Sequence, residues 1–555
     1  MNFNKDSQIL RWPKENLGLI SLLLCSALLR CLFLTLKSPH FDEGVYGFFV
    51  QEIWRKGFFP YDPSNFHGPA YYYALQLAEQ IFGRGIFGFR LMSGIFSWLT
   101  IVYVWRMNKF FGEVAIWAAL AIAVSPSAVF YSRYAMHESM FVLFQVLFVH
   151  HYFDFISEKN ATSACKMGIY AALCFANKET TIIFLFCFLF SALLTEMFSK
   201  KKRFGEVFAF LKDKDILKFI FLGILSASAL TFFLFSGLFS EPVRVFDFFR
   251  AYSFWTKTGT QHLSGHEKPF YYWFSLLLRY EWPAFIGLLV SPLLLFVGSK
   301  ASRLFSFFSL GTLAAYAIIP YKTPWCILGI VWPLCFVTGF AMTEIRSHRF
   351  FQAVVVNSKS SSEISHVRSK FICGTLALIL CFVSLVMCIR LNFFYFEDSN
   401  EPYVYVQSSA DVNSISNVIK LKEQTASEDL NMNIIVGLKV AWPFPWILSD
   451  FTHVSYREIV AESDNGPQTQ AVQDQRKLVD TADVILVDLD DSAKIEKQLN
   501  KKYFKSPFKL RDSYNICSVY FNAEKFQLSE LKRLENEIVG GEASLMKFGV
   551  VGEKQ

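Results

Sequence analysis

Residues 17–36 read LGLISLLLCSALLRCLFLTL and run directly into Lys37-Ser38-Pro39-His40-Phe41-Asp42-Glu43. An apolar stretch of about 20 residues is what an α-helix needs to cross the hydrocarbon core of a bilayer. No small-x-small cleavage site follows it, so the stretch reads as an uncleaved transmembrane helix and not as a signal peptide. Further apolar spans lie at about 86–105, 114–131, 139–156, 166–176, 181–197, 216–239, 283–298, 304–319, 325–343 and 371–391, about eleven with the first. The two spans beside Asn177-Lys178-Glu179 are short, and a single broken helix dipping into the bilayer is the alternative there.

Composition agrees with this reading. Hydrophobic residues make up 53% of the 555-residue chain and charged residues 18%, against roughly 25% charged in soluble domains. The 62 phenylalanines would be an aggregation hazard on a water-exposed surface. The net charge of +7 fits Lys- and Arg-rich cytoplasmic loops. No basic run is interleaved with stacking aromatics, which excludes nucleic acid as a partner. The 11 cysteines sit almost entirely in apolar runs, where a thiol behaves as a small hydrophobe. Cys517 stands alone in the C-terminal part, which rules out a disulfide framework there.

Basic residues in short loops are retained on the cytoplasmic side. Placing Lys200-Lys201-Lys202-Arg203 inside, and crossing once per span, also puts inside Lys5, Arg11, Lys14, the 106–109 and 300–303 turns and the 346–370 stretch. The expected protein is therefore integral to the plasma or inner membrane, with a cytoplasmic N-terminus and an extracytoplasmic C-terminal part. On that topology Asp42-Glu43, Arg133 to Glu138, Asn177-Lys178-Glu179, Ser264 to Pro269 and Tyr321 to Trp325 all gather at the outer surface. Ionisable groups near membrane depth are costly to place, which makes them functional-site candidates by default. Plainer readings stand beside this one. Asp42-Glu43 can cap a helix beginning at Gly44, Lys178-Glu179 can pair with each other, Tyr321-Lys322 can be interfacial anchors, and His67 can be an ordinary loop histidine.

The chemistry that uses such a set is glycosyl transfer from a polyprenyl phosphate. A carboxylate deprotonates the acceptor, and cations hold the leaving phosphate as its charge grows. Asp42 and Glu43 are the candidate catalytic acids. Arg133, Lys178, Lys268 and Lys322 are the cations, and His67, Glu138, His266 and Tyr321 complete the candidate substrate- and phosphate-binding set. A divalent cation is an open alternative, with His137, Glu138 and His266, joined by His67, as its ligands.

An Asp-Glu pair after the first helix, followed by Gly57-Phe58-Phe59-Pro60-Tyr61-Asp62-Pro63, resembles the lipid-linked-sugar glycosyltransferases of the GT-C type, especially the protein O-mannosyltransferase and aminoarabinose-transferase group. Glu138 is similar to that group's acid near the start of the fourth helix, and Gly168 through Leu173 to Lys178 is similar to a second pattern of the group. His67-Gly68-Pro69-Ala70-Tyr71-Tyr72-Tyr73, His266 to Tyr272, Tyr321 to Trp325 and Trp442-Pro443-Phe444-Pro445-Trp446 most resemble a membrane family found beside archaeal N-glycosylation genes and labelled as flippase-associated. The resemblance implies a catalytic Asp42 with Glu43 beside it, a carrier-lipid sugar donor and inversion at the anomeric carbon. The chain departs from the group where His67-Gly68-Pro69 replaces Lys-Pro-Pro, and where an acid follows Lys178.

From about Asn392 the composition is soluble. The runs 432–438, 483–489 and 515–521 predict strands and 492–502 predicts a helix, which together read as a compact α/β module. Trp442, Phe444 and Trp446 suit an acceptor glycan, the membrane surface or the domain's own sheet. Asp488, Asp490 and Asp491 suit a cation or a solvated turn. The expected fold is an α-helical polytopic membrane protein (residues 1–391, GT-C-like) with a small extracytoplasmic α/β domain (residues 392–555). The expected partners are membrane lipid, a polyprenyl-phosphate sugar donor and a glycan, lipid or protein acceptor. A flippase or flippase component is the alternative function, although no internal repeat of the transporter kind is seen; an inactive scaffold is the third.

Overall fold

The structure, a computed structural model, describes residues 17–63, 67–200, 212–260, 265–345, 362–426, 431–462, 469–511, 516–536, 538–539 and 542–552. Lys5, Arg11, Lys14, Lys201, Lys202, Arg203 and the 346–361 part of the basic stretch lie outside the described residues. The chain divides into two compact units. One takes in the chain up to Leu34 with Glu52–Asn392, and the other takes in Thr35–Gln51 with Phe393–Gln555.

The first unit is helical. Among the described residues, seven helices are long and apolar enough to cross a membrane: Ile86–Phe111, His137–Glu158, Thr181–Phe198, Lys214–Phe235, Lys300–Ile318, Pro324–Glu344 and Phe371–Phe394. Glu113–Ala123 and Pro126–Ser132 count as an eighth if taken as one span bent by 59°. Leu17–Cys31, Ala161–Phe175 and Trp282–Val297 are apolar but only 15 or 16 residues long, short of the ~20 that a straight crossing needs. Each expected apolar span meets one of these elements, while length and composition support seven or eight crossings, where the sequence suggests about eleven.

The bend has a physical cause. Pro126 has no N–H to continue the preceding helix, and Ser125 caps the next one by accepting the Ala128 N–H at 3.2 Å. The carbonyls of Ile122 and Ala123 are taken by the Arg30 guanidinium at 3.0 and 2.9 Å. The Glu281 carboxylate accepts the Ser127 N–H at 2.7 Å and the Ser125 hydroxyl at 2.6 Å. A cation thus meets the C-terminal end of one helix and an anion the N-terminal end of the next, as their dipoles favour. Both side chains are buried, and the sequence reading passed over both.

The second unit is built on a six-stranded sheet: β1 (Ile434–Gly437), β2 (Val454–Arg457), β3 (Val484–Asp488), β4 (Tyr503–Lys509), β5 (Ile516–Asn522) and β6 (Gly549–Val551), in the order β2-β1-β3-β5-β4-β6. β1 runs parallel to β2 and β3, and the β5, β4 and β6 half is antiparallel. The strands predicted at 432–438, 483–489 and 515–521 are β1, β3 and β5, whose near-continuous apolar runs suit buried central positions. β4 escapes the sequence reading because Lys505, Pro507 and Lys509 interrupt it; its Tyr503 and Phe508 are buried. The predicted 492–502 helix runs instead over Leu489–Glu496. Thr35–Gln51, which the sequence assigns to the membrane domain, groups with this unit. There Gln407 Nε2 donates to the Ser38 carbonyl at 2.9 Å, and the Ser38 N–H donates to Glu397.

Candidate active site

Asp42 and Glu43 sit in the first turn of the Phe41–Lys56 helix. Glu43 is its third residue and accepts the His40 N–H at 2.8 Å, the returning half of a capping box. It is fully buried. The Asp42 N–H donates to His40 Nδ1 at 3.0 Å, which leaves the imidazole proton on Nε2, donated to the Tyr405 carbonyl at 2.8 Å. The Asp42 carboxylate is 25% exposed and lies 4.0 Å from His40 Nδ1. Helix capping therefore describes Glu43 and leaves the Asp42 carboxylate accessible.

The same helix packs against the Trp442 to Trp446 loop. A Cβ on Gly44 would stand 2.5 Å from Pro443 Cβ, and one on Gly47 would stand 2.2 Å from the Trp446 ring. Trp442 meets Phe41 and Phe48 edge-on at 6.2 and 5.8 Å between ring centroids, and Phe444 and Trp446 are buried. Of the fates open to these aromatics, the structure shows packing, against the helix that carries Asp42.

In the helical unit, residues 176–180 join Ala161–Phe175 to Thr181–Lys200. His67-Gly68-Pro69 docks on this break: the Ala70 N–H donates to the Ala176 carbonyl at 2.8 Å, and a Cβ on Gly68 would stand 2.3 Å from that oxygen. Lys178 pairs with Glu138 across the gap, and its Nζ lies 3.5 Å from Cys326 Sγ. His67 Nδ1 lies 3.3 Å from Glu179 Oε2, and the His67 and His137 rings are 4.5 Å apart. The Asn177 amide donates to the His137 carbonyl at 3.0 Å. Lys178 thus pairs with Glu138 and not with its neighbour Glu179. His67 and Lys178 border a cavity with Trp255, Trp273, Tyr316 and Trp325 in its wall. Tyr316 and Cys326 were not singled out in the sequence, although Cys326 directly follows the noted Tyr321 to Trp325 motif.

Tyr321 also borders this cavity, on a small backbone ladder. The Lys322 N–H donates to the His266 carbonyl at 3.0 Å and the Lys268 N–H to the Pro320 carbonyl at 3.2 Å, while the His266 and Tyr321 rings meet edge-on at 5.1 Å. Lys322 Nζ donates to the Lys268 carbonyl at 3.2 Å, so the lysine ties the two loops together; burial lowers its pKa. Arg133 is placed differently. Its guanidinium donates to the Leu29, Leu32 and Phe33 carbonyls, at the C-terminal end of the Leu17–Cys31 helix.

Of the expected metal ligands, Glu138 pairs with Lys178, the His67 and His137 rings lie against each other with Tyr71 and Tyr72 beside His137, and His266 meets Tyr321. Among the described residues, the His, Cys, Asp and Glu group that brings three ligand atoms together is His150, His151 and Asp154. Asp488 caps the Leu489–Glu496 helix, and Asp488 and Asp491 are met by Lys439 at 2.9 and 3.5 Å, so a lysine stands as the cation there.

The fold recurs in a known structure. ArnT from Cupriavidus metallidurans, in its crystal structure bound to undecaprenyl phosphate, matches with a TM-score of 0.61 at 13% identity, over 91% of this chain and 98% of that one. The chain shares its fold with ArnT. The apo structure of ArnT matches with a TM-score of 0.57 at 12% identity, over 92% and 99% of the two chains. The family described as dolichyl-phosphate-mannose-protein mannosyltransferase matches in sequence over residues 66–212, which contain His67, Arg133, Glu138 and Lys178. No curated protein matches the chain in sequence.

Proposed function

We propose that this protein is a membrane glycosyltransferase that moves a sugar from a polyprenyl-phosphate carrier to a glycan, lipid or protein acceptor on the non-cytoplasmic face. The observation that carries the reading is Lys178, a buried cation beside an aromatic-walled cavity, within the stretch that matches the mannosyltransferase family. The undecaprenyl phosphate held by ArnT supports a carrier of that class. In this reading the Asp42 carboxylate takes the proton of the acceptor hydroxyl, whose oxygen attacks the anomeric carbon from the face opposite the phosphate. The bond from that carbon to the phosphate oxygen breaks with inversion, and the charge left on the phosphate calls for a cation, the role proposed for Lys178. Glu43 keeps the helix start in place, and Arg133 holds the end of the Leu17–Cys31 helix.

The test is transfer of labelled sugar from a polyprenyl-phosphate donor by the purified chain in lipid. The unmodified protein is expected to glycosylate an envelope acceptor or water, and Asp42→Asn to lower the rate by about 10²–10⁴-fold, the usual worth of a general base. The flippase-associated family rests on sequence resemblance alone. Movement of lipid-linked sugar between leaflets, with no turnover across a donor panel, would replace the transferase reading with that one.

A further inference from the structure

The His137–Glu158 helix carries a second cluster, around Asp154, 16 residues beyond Glu138 and about 24 Å away at 1.5 Å per residue. His151 Nδ1 lies 2.9 Å and His150 Nε2 3.6 Å from Asp154 Oδ2, and the three ligand atoms fall within 4.8 Å of one another. All three residues are buried. A tetrahedral ion with bonds of about 2.0–2.1 Å holds its ligand atoms about 3.3 Å apart, and the 2.9 and 3.6 Å distances to Asp154 Oδ2 lie on either side of that value.

The rest of the cluster fits a ligand set better than a closed hydrogen-bond network. At 3.6 Å the His150 Nε2 is too far from Asp154 for a good hydrogen bond. The His151 ring lies flat on Tyr170, 5.5 Å between centroids at 1°, and Tyr103 and Phe110 meet the His150 ring edge-on, so both imidazoles are held in orientation. Lys109 Nζ reaches the other carboxylate oxygen, Asp154 Oδ1, at 2.5 Å. That is the place of an outer partner that fixes a ligating carboxylate, and it leaves Oδ2 facing the two imidazoles.

We propose that His150 Nε2, His151 Nδ1 and Asp154 Oδ2 bind a divalent transition metal of the zinc class, with Lys109 orienting Asp154. The donor set of two imidazoles and one carboxylate suits zinc or a close neighbour and not magnesium or calcium. The site is separate from the Glu138–Lys178 pair and does not depend on the glycosyl-transfer reading.

The test uses the full chain, purified without a histidine tag, stripped with a chelator and titrated with Co²⁺ in lipid while visible absorption is read. One Co²⁺ per chain with a tetrahedral spectrum, displaced by Zn²⁺, is expected. His151→Ala should reduce binding to background. His150→Phe, which keeps the Asp154–Lys109 pair, should weaken it at least tenfold in monodisperse protein, and Cys517→Ser should leave it unchanged. No binding by the unmodified chain, or undiminished binding by a monodisperse His150→Phe/His151→Ala chain, overturns the proposal.

Discussion

The start of the Phe41–Lys56 helix and the break at residues 176–180 present their key charges by opposite means. Asp42 stands in a helix turn whose end is already satisfied by Glu43 and whose position is fixed by two glycines against Pro443 and Trp446. Its carboxylate is left over from the local structure. Lys178 is itself part of the structure, buried and paired with Glu138. The first charge can be neutralised with the fold intact, whereas removing the second strands a buried carboxylate. Substitutions in the two regions should therefore separate activity from stability in different ways.

The largest effect expected is the Asp42→Asn loss of transfer rate, on the order of 10²–10⁴-fold, at an unchanged melting temperature. Lys178→Met should act on both properties, because breaking a buried ion pair costs about 3–5 kcal/mol. Adding Glu138→Gln to it should restore the yield of folded protein without restoring transfer, and recovery of both would make the lysine purely structural. Gly47→Ala forces a methyl group into the Trp446 ring and should cost about 1–3 kcal/mol. Thermal unfolding of the full chain reads that loss, and Trp446→Leu in the same chain should return part of it.

The smallest effect concerns Glu530. The Gln527 N–H at 3.2 Å is the chief cause that holds its carboxyl below the ordinary range; burial opposes, and Lys422 at 3.1 Å adds to the lowering. A lowered carboxyl stabilises the fold above its unfolded value of about 4.5, and the gain is lost as pH falls through the folded value. The melting temperature of Glu530→Gln should therefore lie slightly below that of the unmodified chain at pH 7, with the gap closing below pH 4.5.

Long apolar runs are a property of single segments, so the membrane helices were legible in the sequence, as were β1, β3 and β5. The bend at Ser125-Pro126 was only half legible, since Pro126 marks it in sequence while Arg30 and Glu281, which satisfy the helix ends it opens, lie far away in the chain. Asp42, Glu138, Lys178 and His67 could be picked out because charged residues beside helix ends stand out against such a background. Their partners could not. Glu179 and Glu138 compete for Lys178 on equal terms in sequence, and only the fold chooses Glu138. Arg133 stands out in sequence as a cation, but the open carbonyls it meets at the end of the Leu17–Cys31 helix leave no mark in residue type. The His150, His151 and Asp154 spacing was visible but lay inside an expected span, where it was counted as helix.

The most direct test of the account compares Asp42→Asn with Glu43→Gln in the full chain, reading sugar transfer and thermal unfolding for each. The account predicts that Asp42→Asn abolishes transfer at an unchanged melting temperature. It predicts that Glu43→Gln, which weakens a cap worth about 0.5–2 kcal/mol, lowers the melting temperature while folded protein still turns over donor. Loss of transfer confined to Glu43→Gln, with Asp42→Asn fully active, would contradict it.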